Sequence, residues 1–153
     1  MDILIIFGAK YLIFLAIAIA CIYFFAASKS ERKKIIVFAI ITLPLSYILA
    51  KISSYFYYDA RPFVVGNFTP LIPHASDNGF PSDHTLLASA LAAVTLYFNK
   101  KIGALLFAFT ILIGTSRVLA GVHHTLDIVG SIVIVAVASF LAYKFILPAG
   151  SKI

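Results

Sequence analysis

His123 and Asp127 stand four residues apart at the start of an apolar run. On a helix that spacing puts both side chains on one face. A carboxylate so placed can accept the Nδ1 proton of the imidazole, which leaves Nε2 as a basic lone pair. That is the arrangement of a nucleophilic or basic histidine. The same pair also occurs as a helix-capping aspartate beside a structural histidine, so it decides nothing alone.

Three other segments give it company. Ser116-Arg117 lies just upstream, where another apolar run ends. An arginine there can snorkel to lipid phosphates, and beside a nucleophilic histidine it offers a fork of donors to phosphate oxygens. Phe80-Pro81-Ser82-Asp83-His84-Thr85 reads as a helix start. The free N–H groups near Asp83, with the Ser82 hydroxyl, would form an anion site, and His84 could protonate a leaving oxygen. In Arg61-Pro62 the proline biases Arg61 toward an extended conformation, which ends a helix and lets the side chain turn. Phosphoryl transfer needs these parts: donors around the equatorial oxygens, an in-line nucleophile and an acid. His and Asp also suit a metal ion, but the arginines would repel a cation, so no catalytic metal and no cofactor are expected.

The elements that must hold these groups are apolar helices. The chain has 153 residues, 62% hydrophobic and 12% charged, with a mean hydropathy of +1.05. A soluble domain is about half apolar and about a quarter charged, so these values predict an all-α integral membrane protein. The length fits one transmembrane domain over 1–153. The net charge of +6 sits in short basic runs between apolar segments, which points to membrane lipids rather than nucleic acid. Cys21 is the lone cysteine, which excludes an internal disulfide and a cysteine metal site.

Five spans are predicted, over 3–27, 35–58 with a kink at Pro44, 83–98, 102–118 and 124–147, with a long loop at 59–81. The first run is read as a retained span, being too long for a signal peptide. Lys29, Arg32, Lys33, Lys34, Lys100, Lys101, Lys144 and Lys152 fall on one side, and Lys10, Lys51, Arg61 and Arg117 on the other. The positive-inside rule then places the first set in the cytoplasm. The N-terminus is outside, the C-terminus is cytoplasmic, and the site is at the outer boundary of the cell membrane. Asp59, Arg61, His74, Asp77, Asp83, His84, Arg117, His123, His124 and Asp127 all converge on that face.

Arg61-Pro62, then Pro81-Ser82-Asp83-His84, then Ser116-Arg117 leading to His123 and Asp127, resemble the motifs of the type 2 phosphatidic acid phosphatase superfamily. The resemblance spans about residues 51–131. The segment Ala75 to Thr85 looks closer still to the bacitracin-resistance branch of undecaprenyl-diphosphatases. The resemblance implies that His123 attacks phosphorus, Asp127 holds its ring and His84 serves the leaving group. It also implies that Arg61, Arg117, Ser82, Ser116 and the Asp83 segment bind phosphate, joined by Lys51, and that the substrate is a lipid phosphate or, from the closer branch, a polyprenyl diphosphate. Two departures stand out. The family's lysine seven residues before the first arginine is replaced by Ser54, and the nearest upstream lysine is Lys51. Members commonly have six spans, so a sixth helix would complete the bundle.

Two alternatives follow: a phosphatase for phosphatidate, phosphatidylglycerol phosphate or another lipid monophosphate, and a non-enzymatic transporter or lipid-binding protein. His74 and His124 are expected outside the catalytic set, and Asp77-Asn78-Gly79 is expected to form a turn.

Overall fold

The computed structural model describes residues 1–146. Seven helices follow in order: α1 (Asp2–Lys10), α2 (Leu12–Ala26), α3 (Lys29–Phe56), α4 (Pro62–Val65), α5 (Asp83–Phe98), α6 (Lys100–Leu119) and α7 (Thr125–Ile146). Among the described residues there is no strand, only an isolated antiparallel bridge between Ala60 and Asn78.

The predicted first span is broken. α1 and α2 meet at a 46° bend at Tyr11. The predicted second span begins earlier than expected. Ser28 caps α3 by accepting from the Glu31 amide at 3.2 Å, and Glu31 accepts from the Tyr23 hydroxyl at 2.6 Å. The basic stretch from Lys29 to Lys34 is therefore the first turns of a helix rather than a connector. α3 runs on through Pro44 to Phe56. Asn99 caps α6 in the same way, accepting from Lys101 and Ile102 at 3.1 Å.

Among the described residues, length and hydropathy show three or four spans where five are predicted. α3, α6 and α7 are long and apolar enough to cross a membrane, and the bent α1–α2 pair makes a fourth if taken as one span. α5 fills the predicted third span with 16 residues, fewer than the roughly 20 that bridge a bilayer core. The reason is its place in the bundle. α5 packs against α2, α3, α6 and α7, and the small residues Ala88, Ala90 and Ala92 are almost fully buried. Protein, more than lipid, surrounds it.

Apolar clusters tie α5 to its neighbours: Ile13, Ala16, Leu106 and Ile113 on one side, Ala50, Ile134 and Val135 on another. Outside the bundle, Phe14, Ile22, Phe25, Ile40, Ile48, Leu112 and Phe140 are exposed. Such a surface needs lipid around it. The predicted fifth span reaches residue 147, and Lys152 and the C-terminus also lie outside the described residues.

Candidate active site

One end of the bundle gathers the C-terminal ends of α3 and α6, the N-terminal ends of α5 and α7, and the loop containing α4. His123 reaches this end on the turn between α6 and α7. That turn needs Gly121, whose φ of 78° is a left-handed conformation and whose missing side chain leaves room for the Phe68 ring.

Asp127 uses one oxygen twice. Its Oδ2 lies 3.0 Å from His123 Nδ1 and accepts from the His124 amide at 2.9 Å. The second bond caps α7, so the orienting and capping roles coexist. Arg61 fixes the other side of the ring. Its Nη1 is 3.3 Å from His123 Nε2 and donates to the Val122 carbonyl at 2.8 Å. A guanidinium can only donate and a carboxylate only accepts. The His123 ring therefore carries its proton on Nδ1 and presents Nε2 as the lone pair.

Both arginines are held by groups distant in sequence. Arg61 Nε pairs with Asp77 at 2.8 Å, and Nη2 donates to the Asn78 carbonyl at 3.3 Å. Arg117 Nη1 donates to the Ala9 carbonyl at 3.1 Å, at the bend after α1, and Nη2 donates to His74 Nε2 at 3.0 Å. The His74 and His123 rings meet edge to face, with centroids 5.9 Å apart. Arg61 is 5% exposed, Arg117 3%, His123 2% and Asp127 0%. Charges this deep need partners, yet Arg117 Nε and Asp127 Oδ1 are buried without one among the described residues. A wall with unpaired polar atoms is a place where a ligand completes the set.

Burial holds the His123 pKa below its ordinary value, and the charges of Arg117 and Arg61 add to that, while the bond to Asp127 pulls the other way. His74 is lowered by burial and by Arg61 and Arg117. For Asp77, burial opposes ionisation, but the hydrogen bond and charge of Arg61 prevail and its pKa lies below the usual carboxylate value.

The other predicted site residues divide. His84 is half-buried within electrostatic range of Arg117 and His123 and makes no hydrogen bond in the site. Ser82 is fully buried and structural: its Oγ accepts from Thr85 at 3.2 Å and its carbonyl from Ser131 at 3.0 Å. Ser116 packs against Gly8 of α1, because α1 crosses α6 there. Lys51 and Asp83 are exposed and line a groove between α3 and α5 beside the site.

Sequence reasoning placed His74 outside the catalytic set and read Asp77 and Asn78 as part of a turn. Asn78 accepts from the amides of Asp59 and Phe80, and donates to the Ser54 carbonyl, the Ser54 hydroxyl and the Tyr57 carbonyl. It stitches the loop to the end of α3. The Asp-Asn-Gly sequence gives a turn signal but no sign of these distant partners. His124 pairs with Asp59 at 3.1 Å. Asp59, His124 and Asp127 bring ligand atoms within 4.8 Å of one another, the one group among the described residues that could reach a cation.

A buried histidine with a fixed tautomer, framed by two arginines at the end of an apolar helix bundle, defines the class: a multi-pass membrane enzyme acting on phosphate. Residues 33–150 match the PAP2 superfamily. The chain is 34% identical to undecaprenyl-diphosphatase BcrC of Bacillus subtilis, over 95% of this chain and 75% of that one. The crystal structure of Aquifex aeolicus LpxE superposes with a TM-score of 0.70 at 28% identity, over 93% of this chain and 82% of that one. The first transmembrane PAP2 type phosphatidylglycerolphosphate phosphatase from B. subtilis shares the fold, with a TM-score of 0.60 at 19% identity, over 99% and 87%. The chain belongs to the PAP2 superfamily and is a hydrolase of phosphate esters.

Proposed function

We propose that the protein is a membrane lipid phosphatase that removes the terminal phosphate of a polyprenyl diphosphate, through a phosphohistidine, without a metal. The observation that carries the mechanism is the double grip on His123: Asp127 on Nδ1 at 3.0 Å and Arg61 facing Nε2 at 3.3 Å. The relative named undecaprenyl-diphosphatase, together with the segment Asp77 to Thr85, supports the substrate.

His123 Nε2 attacks the terminal phosphorus, and the bond to the bridging oxygen breaks. Arg61 and Arg117 take the equatorial oxygens, with the first amides of α5 as further donors. Asp127 stabilises the imidazolium as it forms. His84 gives its proton to the departing lipid phosphate, then removes one from the water that cleaves the phosphohistidine. The products are lipid monophosphate and inorganic phosphate. On this reading, five spans face the site outward, where a spent lipid carrier is recycled.

The test is phosphate release from undecaprenyl diphosphate by the purified protein in detergent with EDTA, beside phosphatidate and a His123→Ala control. Release that prefers the diphosphate, survives EDTA and vanishes in the variant is expected. Release from phosphatidate alone would remove the carrier-lipid substrate. Loss with EDTA would make Asp59, His124 and Asp127 a metal site.

A further inference from the structure

The two arginines of the site keep different company. Arg61 shares its charge with a carboxylate: its Nε pairs with Asp77 at 2.8 Å, and its Nη1 and Nη2 donate to the Val122 and Asn78 carbonyls. Arg117 makes no ion pair among the described residues. Its partners are neutral acceptors, the Ala9 carbonyl at 3.1 Å and His74 Nε2 at 3.0 Å.

The bond to Arg117 also fixes His74. A guanidinium can only donate, so His74 accepts through Nε2 and carries its one proton on Nδ1. A second proton would point at the Arg117 N–H group. Burial and the charges of Arg61 and Arg117 act in the same direction and keep the ring neutral at pH 7. The His74 ring stands edge to face with the His123 ring, with centroids 5.9 Å apart, so this acceptor lies beside the attacking group. A carboxylate in its place would bind the arginine more tightly. It would also cancel much of the positive charge that a phosphate needs.

From this contrast we infer that His74 is a positioning residue, a neutral acceptor that fixes the Arg117 guanidinium and leaves its charge uncancelled for phosphate. The inference rests on the proposed function and deepens it, because it divides the work of the two arginines. Arg61, paired with Asp77, frames His123. Arg117, held by a carbonyl and an imidazole, supplies the charge that draws the anion in. The loop before α5 thus sets the affinity of a residue on α6, across 43 positions of sequence.

The experiment titrates inorganic phosphate by calorimetry into the purified full chain in detergent, and records the melting temperature of each variant. His74→Leu removes the acceptor and should raise the phosphate Kd about tenfold. His74→Gln offers an uncharged oxygen acceptor and should stay within about threefold of wild type. His74→Glu has the shape of the Gln variant and differs in charge. It should melt as high as that variant or higher, because it pairs with Arg117, yet raise the Kd about tenfold or more. A merely structural histidine would not make stability and affinity move apart in this way. Equal Kd values for the Gln and Glu variants overturn the charge argument, and an unchanged Kd in His74→Leu overturns the positioning role. Arg117→Gln should abolish measurable phosphate binding. If it does not, the proposed phosphate grip fails and takes this inference with it. Loss in Arg117→Gln with wild-type affinity in every His74 variant overturns the inference alone.

Discussion

Asp127 caps a helix and orients a ring with the same oxygen. Asp127→Asn should therefore separate two effects. An amide cannot stabilise an imidazolium, so kcat for phosphate release should fall about 10²–10⁴-fold. The lost charge at the cap should cost about 1 kcal/mol, read from thermal melting in detergent. His123 and His74 make activity and stability pH-dependent in one direction. Both are held below the ordinary value of 6.5, so both are neutral at pH 7. The acid limb of kcat/KM should lie below 6.5. The unfolded chain takes up protons first, so folded-state stability should drop as pH falls below 6.5 and level off above it. A limb above 6.5 would contradict this. At this scale the i, i+4 pair was legible, because helical spacing dictates a shared face. His74 was not. Its bond to Arg117 bridges 43 positions and leaves no period in the sequence.

At the scale of elements, α1 and the loop before α5 support residues that do the chemistry elsewhere. A side chain at Gly8 would collide with Ser116, and α1 also supplies the Ala9 carbonyl to Arg117. Gly8→Val should cost about 1–3 kcal/mol in melting and raise KM, because Arg117 loses its anchor. An unchanged KM would separate α1 from the site. Asn78→Ala strands part-buried amides at both ends of the loop, those of Asp59 and Phe80, and should cost about 1–3 kcal/mol with a parallel fall in kcat/KM. Hydropathy located the apolar runs well, since the membrane rewards them directly. It could not place the bend at Tyr11 or the short α4. Those depend on what packs against them.

At the scale of the whole molecule, the bundle puts the ionisable groups of the site at one end, the lysine-rich starts of α3 and α6 at the other, and apolar side chains around its middle. The orientation predicted from charge counting can be tested with Cys21→Ser and Tyr58→Cys. Tyr58 is exposed beside the site. A membrane-impermeant thiol reagent should label that variant in intact cells, and labelling only after lysis would reverse the topology.

The bond between Ala9 and Arg117 joins residues 108 positions apart. A ribosome delivers the acceptor early and the arginine late. An arginine entering lipid alone is costly, but this one arrives to find a carbonyl already waiting at the bend. The order of synthesis thus favours insertion of α6, and a nascent chain stalled before it holds only a half-built centre. Loss of α1 would then be felt first during biogenesis, as poor integration of α6, before it was felt in turnover.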